Sequence, residues 1–277
     1  MSDTMSTSAR VVGLHVYPIK SCAGVSVARA ALEERGLAHD RRWMIVDASG
    51  RFVSQRKHPS LALVSPELHA DGALTVRAPG RDPLPLPATL DAPDAVAVEV
   101  WGDRFTAGLG PAHAHAWFSE LLGFNARLVR LTDASDRPVD PDHDAPSPGA
   151  QVSFADGFPY LVTTTATLDH VDALVTGRTI DWRRFRPNVV LDAPGGDPFV
   201  EDSWDRVTGD GFALHCVKPC TRCVMITVDP ERGVHDGPEP TRTLAALQPG
   251  AGKVTLGQNA LLTGSGTLSV GDVLTAS

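Results

Sequence analysis

Apolar and polar residues alternate with a period of two along much of this chain, the pattern of strands with one buried face. The first such segment, VVGLHVYPIK, stops at Pro18. A second, residues 42–47, is followed by the turn ASGR and by RFVSQ, which predicts a hairpin. LALVSPELHADGALTVRAP predicts two short strands around Asp71-Gly72, and DAVAVEVWGD one more that ends at Gly102. The period lengthens to that of a helix over residues 112–124, through Trp117, Leu121 and Leu122, and Gly123 stops the run. The first half is therefore mainly β with one helix.

Residues 131–149 read LTDASDRPVDPDHDAPSPG, rich in proline, aspartate and serine and without apolar periodicity. This is the expected boundary, a linker or long surface loop. Beyond it, PYLVTTTATLDHVDALVTG predicts a strand running into a helix capped by the threonines. FRPNVVLD, GFALHCVK and VMITVD predict strands, EDSW a polar corner, TRTLAALQP a short helix, and GTLSVGDVL a closing alternation. The expectation is a mixed α+β, strand-rich chain. It has a β-barrel-like N-terminal domain over 10–130 and a C-terminal β-barrel domain with a few short helices over 150–277.

With 277 residues and 42% apolar composition, the chain can bury a large core without disulfide staples. A net charge of −8 argues against a nucleic-acid binder and leaves room for a small basic pocket. Four lysines stand against many arginines, a bias that reads as base composition, so only the arginines' positions carry information. Four cysteines are too few and too clustered for a secreted disulfide framework. MSDTMSTSAR lacks a signal-peptide pattern, and no apolar run reaches the length of a membrane span. The expectation is a soluble, cytoplasmic protein that engages neither membrane nor nucleic acid. No phosphate-binding loop, dinucleotide fingerprint or serine triad is present.

The stretch VKPCTRCVMITVDPERG holds the most pointed chemistry. Zinc would require His215, Cys216, Cys220 and Cys223 to wrap a compact site. A redox dithiol would require a helix after Cys220, where β-branched residues favour a strand. A packed pair of small apolar thiols is the simplest reading of CTRC on its own. His113 and His115, two apart on a helix, face different ways and do not form a metal pair.

CTRC has company, however. YPIKSCAG, HDRRWMIVDASGRFVSQRKHP, FRPNVVLD with EDSWD, KPCTRCVMITVDPERG and LGQNALLTGSGTLSVGDVL occur one after another in order. Together they resemble the MOSC family, named after the C-terminal part of molybdenum cofactor sulfurase, in the two-domain form of the amidoxime-reducing components. The resemblance implies the molybdenum cofactor (Mo-molybdopterin), with Cys223 as the protein's catalytic metal ligand. Arg222 and Lys218 beside it favour a thiolate. It further implies Lys20 and Ser21 as cofactor contacts, Arg41 for phosphate or pterin, and Arg56 as a further contact. Arg42, next along a strand, points away. Arg186 and Asn188 match positions that hold the cofactor's anionic oxygens and pterin edge, and Thr164 and Thr165 match small hydroxyl residues beside it. Cys220 is secondary, a packed thiol near the site.

In function, the resemblance implies an oxidoreductase that removes oxygen from N-hydroxylated small molecules. Its electrons come from a separate flavin, haem or iron–sulfur protein, since four cysteines do not supply both a cluster and Cys223. The alternative is a sulfur carrier or cofactor-handling protein that uses the same thiol.

Overall fold

The computed structural model describes residues 6–277. At its centre is a closed barrel of seven strands. In order around the wall these are Val189–Asp192, Tyr160–Thr164, Thr255–Gly264, Phe212–Thr221, Arg206–Gly209, Val273–Ala276 and Thr7–Val16, the last pairing back onto the first. Neighbours run antiparallel except Tyr160–Thr164 and Val189–Asp192. That parallel pair needs a crossover, and helix Thr165–Leu174 lies in it.

The first strand contains a bulge between Val11 and Gly13. The extra residue shifts the alternation, so Ala9 and Val11 point into the barrel and then Leu14 and Val16 do. They meet Val162, Val189, Leu191, Leu214 and Leu262 from across the wall. Each such side chain, fully buried, contributes about 1.5–3 kcal/mol. The first strand, whose residues from 10 onward fall within the expected N-terminal domain, closes this barrel by pairing with residues about 175–269 positions away.

The first half otherwise forms a four-stranded sheet in the order Trp43–Asp47, Ala126–Arg130, Asp103–Leu109, Ala95–Val100, and a three-stranded sheet Ser65–Leu68, Leu74–Arg77, Leu84–Leu86. Helix Ala112–Leu122 buries Ala114 and Phe118 on this core and stops at Gly123, whose φ of 75° is the left-handed cap.

One segment departs from expectation. VMITVD is not one strand: Val224–Thr227 forms a 3-10 turn, and only Val228–Asp229 is extended. The turn buries Ile226 against Phe185 and Leu244, so tertiary packing overrides its β-branched composition. Residues 131–149 form a long loop, one of the two forms expected of them, with a single 3-10 turn at Pro141–His143. Arg137 in their midst is 1% exposed and donates to the carbonyls of Ser153, Ala155 and Asp156 and to the Asp103 carboxylate.

Candidate functional site

A cleft of about 290 Å³ opens at one end of the barrel, where it meets the N-terminal sheets. Six basic side chains line it (Lys20, Arg41, Arg56, Arg186, Lys218 and Arg222) against one carboxylate, Asp156. A local excess of five positive charges in a chain of net charge −8 marks it as an anion site.

The backbone that presents these groups is unusual. Seven non-glycine residues among those described have positive φ, and Ser21 (65°), Arg41 (48°), Trp101 (56°) and Arg186 (56°) line the cleft. Left-handed backbone costs such residues of order 1–3 kcal/mol each, and packing has to hold it. Tyr17 supplies much of that packing. Its ring lies under both the Arg41 and Arg186 guanidinium groups, 4.3 and 4.1 Å from their central carbons. Its hydroxyl donates to the Pro187 carbonyl at 3.0 Å, and its amide donates to buried Asp40 at 2.8 Å. Asp40 also pairs with Arg41 at 2.5 Å. Arg186 donates to the Cys22 carbonyl at 2.6 Å. Burial, with Arg41 close by, pulls the Arg186 guanidinium down to about 10.

Of the residues singled out from the sequence, Lys20, Ser21, Arg41, Arg56, Arg186, Asn188 and Cys223 line this one cleft. Their engagements differ. Lys20 is 5% exposed and donates to the Phe154 carbonyl at 2.7 Å and to Asp156 at 2.5 Å. Burial lowers its ammonium to about 8, partly offset by Asp156. Burial alone would raise the Asp156 carboxyl, yet the Lys20 contact holds it well below the usual carboxylate range. That carboxylate keeps 56% of its surface open, so the pair is partly solvated. Asn188 is 1% exposed, and both ends of its amide are engaged: Oδ1 by Arg41 and the Leu161 amide, Nδ2 by the His15 carbonyl. It braces the floor. Arg42 turns away to Glu33 at 2.5 Å, not through strand alternation but because the left-handed Arg41 reverses the chain ahead of Trp43.

Thr164 and Thr165 lie outside the cleft. Thr164 caps helix Thr165–Leu174 and donates to buried Glu201 at 2.9 Å, while Thr165 contacts Asp192 on the outer face. Thr163 and Thr167 also donate to Glu201, so the threonine cluster solvates a buried carboxylate.

The thiols divide as well. Burial pushes Cys22 and Cys216 up to about 12, inert packed groups. Cys220 and Cys223 both line the cleft. The chain between them is extended, from the end of strand Phe212–Thr221 through the Arg222 amide bonded to Val254 to Cys223 at φ −128°, ψ 179°. Three extended residues span roughly 10 Å, beyond the reach of a disulfide. Arg222 donates to Cys220 Sγ at 2.9 Å and to the Phe185 carbonyl. Cys223 is half-buried at the start of the 3-10 turn.

Three contributors were not evident from the sequence. Asp156 and Trp101 line the cleft, the indole donating to the carboxylate at 3.1 Å, and Arg137 clamps the loop that carries Asp156. A single basic residue among the aspartates of 131–149 was the available signal for Arg137.

The end of the barrel thus brings six cationic side chains and the thiols of Cys220 and Cys223 into one cleft. Comparison gives the family: the MOSC N-terminal beta barrel domain matches residues 8–125 and the MOSC domain residues 149–275. The chain belongs to the MOSC family. It is 33% identical over 245 residues to mitochondrial amidoxime reducing component 2 of Bos taurus, covering 85% of this chain and 71% of that protein. It is 32% identical over 283 residues to mitochondrial amidoxime-reducing component 1 of Homo sapiens, covering 95% and 81%. Against the molybdenum cofactor sulfurase of Danio rerio it is 30% identical over 270 residues, 91% of this chain but 32% of that one. Among the described residues no helix is long and apolar enough to cross a membrane.

Proposed function

We propose that this protein is a molybdenum-cofactor-dependent oxidoreductase that removes oxygen from N-hydroxylated small molecules, with Cys223 as the protein's ligand to the metal. The observation that carries this reading is the meeting, in one cleft, of six cationic side chains and two half-buried thiols, Cys220 and Cys223, of which the family resemblance selects Cys223. Mo-molybdopterin is anionic, phosphate-bearing and rich in sulfur. A site for it needs positive charge, free donors and a soft ligand.

The residues present fit those needs. The Nε atoms of Arg56 and Arg222 are buried without a partner among the described residues. Arg56, Arg186, Lys218 and Arg222 have no carboxylate partner among the described residues and are the groups to hold phosphate and pterin. Lys20 and Arg41, held by Asp156 and Asp40, fix the shape of the floor. Ser21 presents a short donor beside them. When bound, the cofactor supplies two-electron oxygen-atom transfer, and the protein supplies orientation and charge. In this reading the electrons come from a separate flavin, haem or iron–sulfur protein.

The second reading, sulfur or cofactor handling through Cys223, draws on the sulfurase likeness and on the Arg222 contact to Cys220. Turnover of amidoximes and N-hydroxyguanidines with reduced viologen as electron source separates the two. The first reading expects activity in the molybdenum-loaded protein and its loss in Cys223→Ala. No activity, with cyanide-releasable sulfur on wild type but not on that variant, would replace it with the second.

A further inference from the structure

Trp101 sits at the lip of the cleft, in the two-residue turn that joins Ala95–Val100 to Asp103–Leu109. Both turn residues have positive φ, 56° at Trp101 and 101° at Gly102, the type I′ pattern that favours Asn-Gly. A bulky aromatic at the first position is disfavoured on local grounds. Nor is it there to fill a core: the residue is 47% exposed, the one aromatic among the exposed large hydrophobic residues described.

The ring is nonetheless fixed. The Arg56 guanidinium lies 3.9 Å from its centroid, Phe52 meets it at 4.7 Å and 64°, and Nε1 donates to Asp156. Asp156 is already held by Lys20, so anchoring that carboxylate does not require an indole. A rigid, half-bare aromatic surface at the mouth of a polar cleft is an arrangement for receiving a flat molecule.

We propose that Trp101 is a specificity-determining platform on which planar, π-faced substrates stack while their N-hydroxyl end enters the cleft. The substrate class is aromatic amidoximes and similarly conjugated N-hydroxy compounds, favoured over small aliphatic ones. This rests on the N-hydroxyl reading of the cleft, and Arg56 backs the ring. An offset-stacked pair of this kind is worth about three- to tenfold in affinity.

The test is equilibrium binding of benzamidoxime and acetamidoxime, by calorimetry, to the molybdenum-loaded wild type, Trp101→Phe and Trp101→Asn, with melting temperature and viologen-driven turnover measured alongside. Wild type should prefer the aromatic ligand, Trp101→Phe should keep most of that preference, and Trp101→Asn should lose it by about three- to tenfold. Because Asn suits the turn, Trp101→Asn should melt no lower than wild type. Equal preference in wild type and Trp101→Asn, or no aromatic preference in wild type, overturns the platform. Absence of turnover with the binding preference intact overturns the reductase reading instead and leaves the platform standing.

Discussion

Inside the barrel, Leu14, Val162, Leu191 and Leu214 are buried against one another; a few residues further along the same strands, Asn188, Lys218 and Cys220 line an open cationic cleft. The barrel strands carry none of the seven left-handed non-glycine residues described, whereas the cleft carries four. The barrel satisfies its backbone by ladder pairing around a closed wall, while the cleft holds like charges close together and leaves two guanidinium Nε atoms without a partner among the described residues. Free energy gained in the first region offsets strain and charge crowding in the second. Stability and function should therefore respond to different substitutions.

The largest effect is expected inside the barrel. Leu14→Ala, at a residue 1% exposed, should lower the unfolding free energy by about 3 kcal/mol in urea titrations. The folded fraction should bind the cofactor as wild type does. Loss of cofactor binding without loss of stability would break the comparison.

Next comes a pH effect on the barrel's outer wall. His15 is 8% exposed, and burial lowers its imidazole to about 4 from 6.5. Between those values the unfolded chain binds the proton and the folded one does not, so stability falls as pH falls through that window. The loss amounts to about 3 kcal/mol. His15→Gln should flatten the corresponding part of the stability–pH profile.

A smaller effect is expected in the cleft. Lys20 loses its proton near pH 8 in the folded protein, so the cleft carries one positive charge fewer above that value. Affinity for sulfate, whose charge is constant there, should fall several-fold between pH 7 and 9.5. Lys20→Met should bind more weakly and without that pH step. Smallest of all, Thr165→Ala should change stability by less than about 0.5 kcal/mol and leave cofactor content unaltered. Thr164→Ala, which loses both the helix cap and a donor to buried Glu201, should cost about 2 kcal/mol or more, again with cofactor content unaltered.

Local pattern made the helices at Ala112–Leu122 and Thr165–Leu174 readable, since apolar spacing, a capping threonine and a terminal glycine act within a few residues. The ordered motifs likewise gathered seven of the named side chains into one cleft. What escaped depends on distant partners. The pairing of Thr7–Val16 with Val189–Asp192 leaves no local trace, and the bulge between Val11 and Gly13 disguises the inward face. Thr164 and Thr165 looked like ligand contacts because the partner of the threonine cluster, Glu201, lay hidden in the polar corner EDSW. Trp101 read as the end of a strand, although a tryptophan where Asn-Gly belongs was itself the clue.

The most direct test of the account is the molybdenum and pterin content of wild type beside Cys220→Ala and Cys223→Ala, produced in a host that makes the cofactor. Near-equimolar molybdenum and pterin in wild type and Cys220→Ala, with the metal lost from Cys223→Ala, is the predicted result. Undiminished molybdenum in Cys223→Ala, zinc in its place, or neither metal nor pterin in wild type would contradict it.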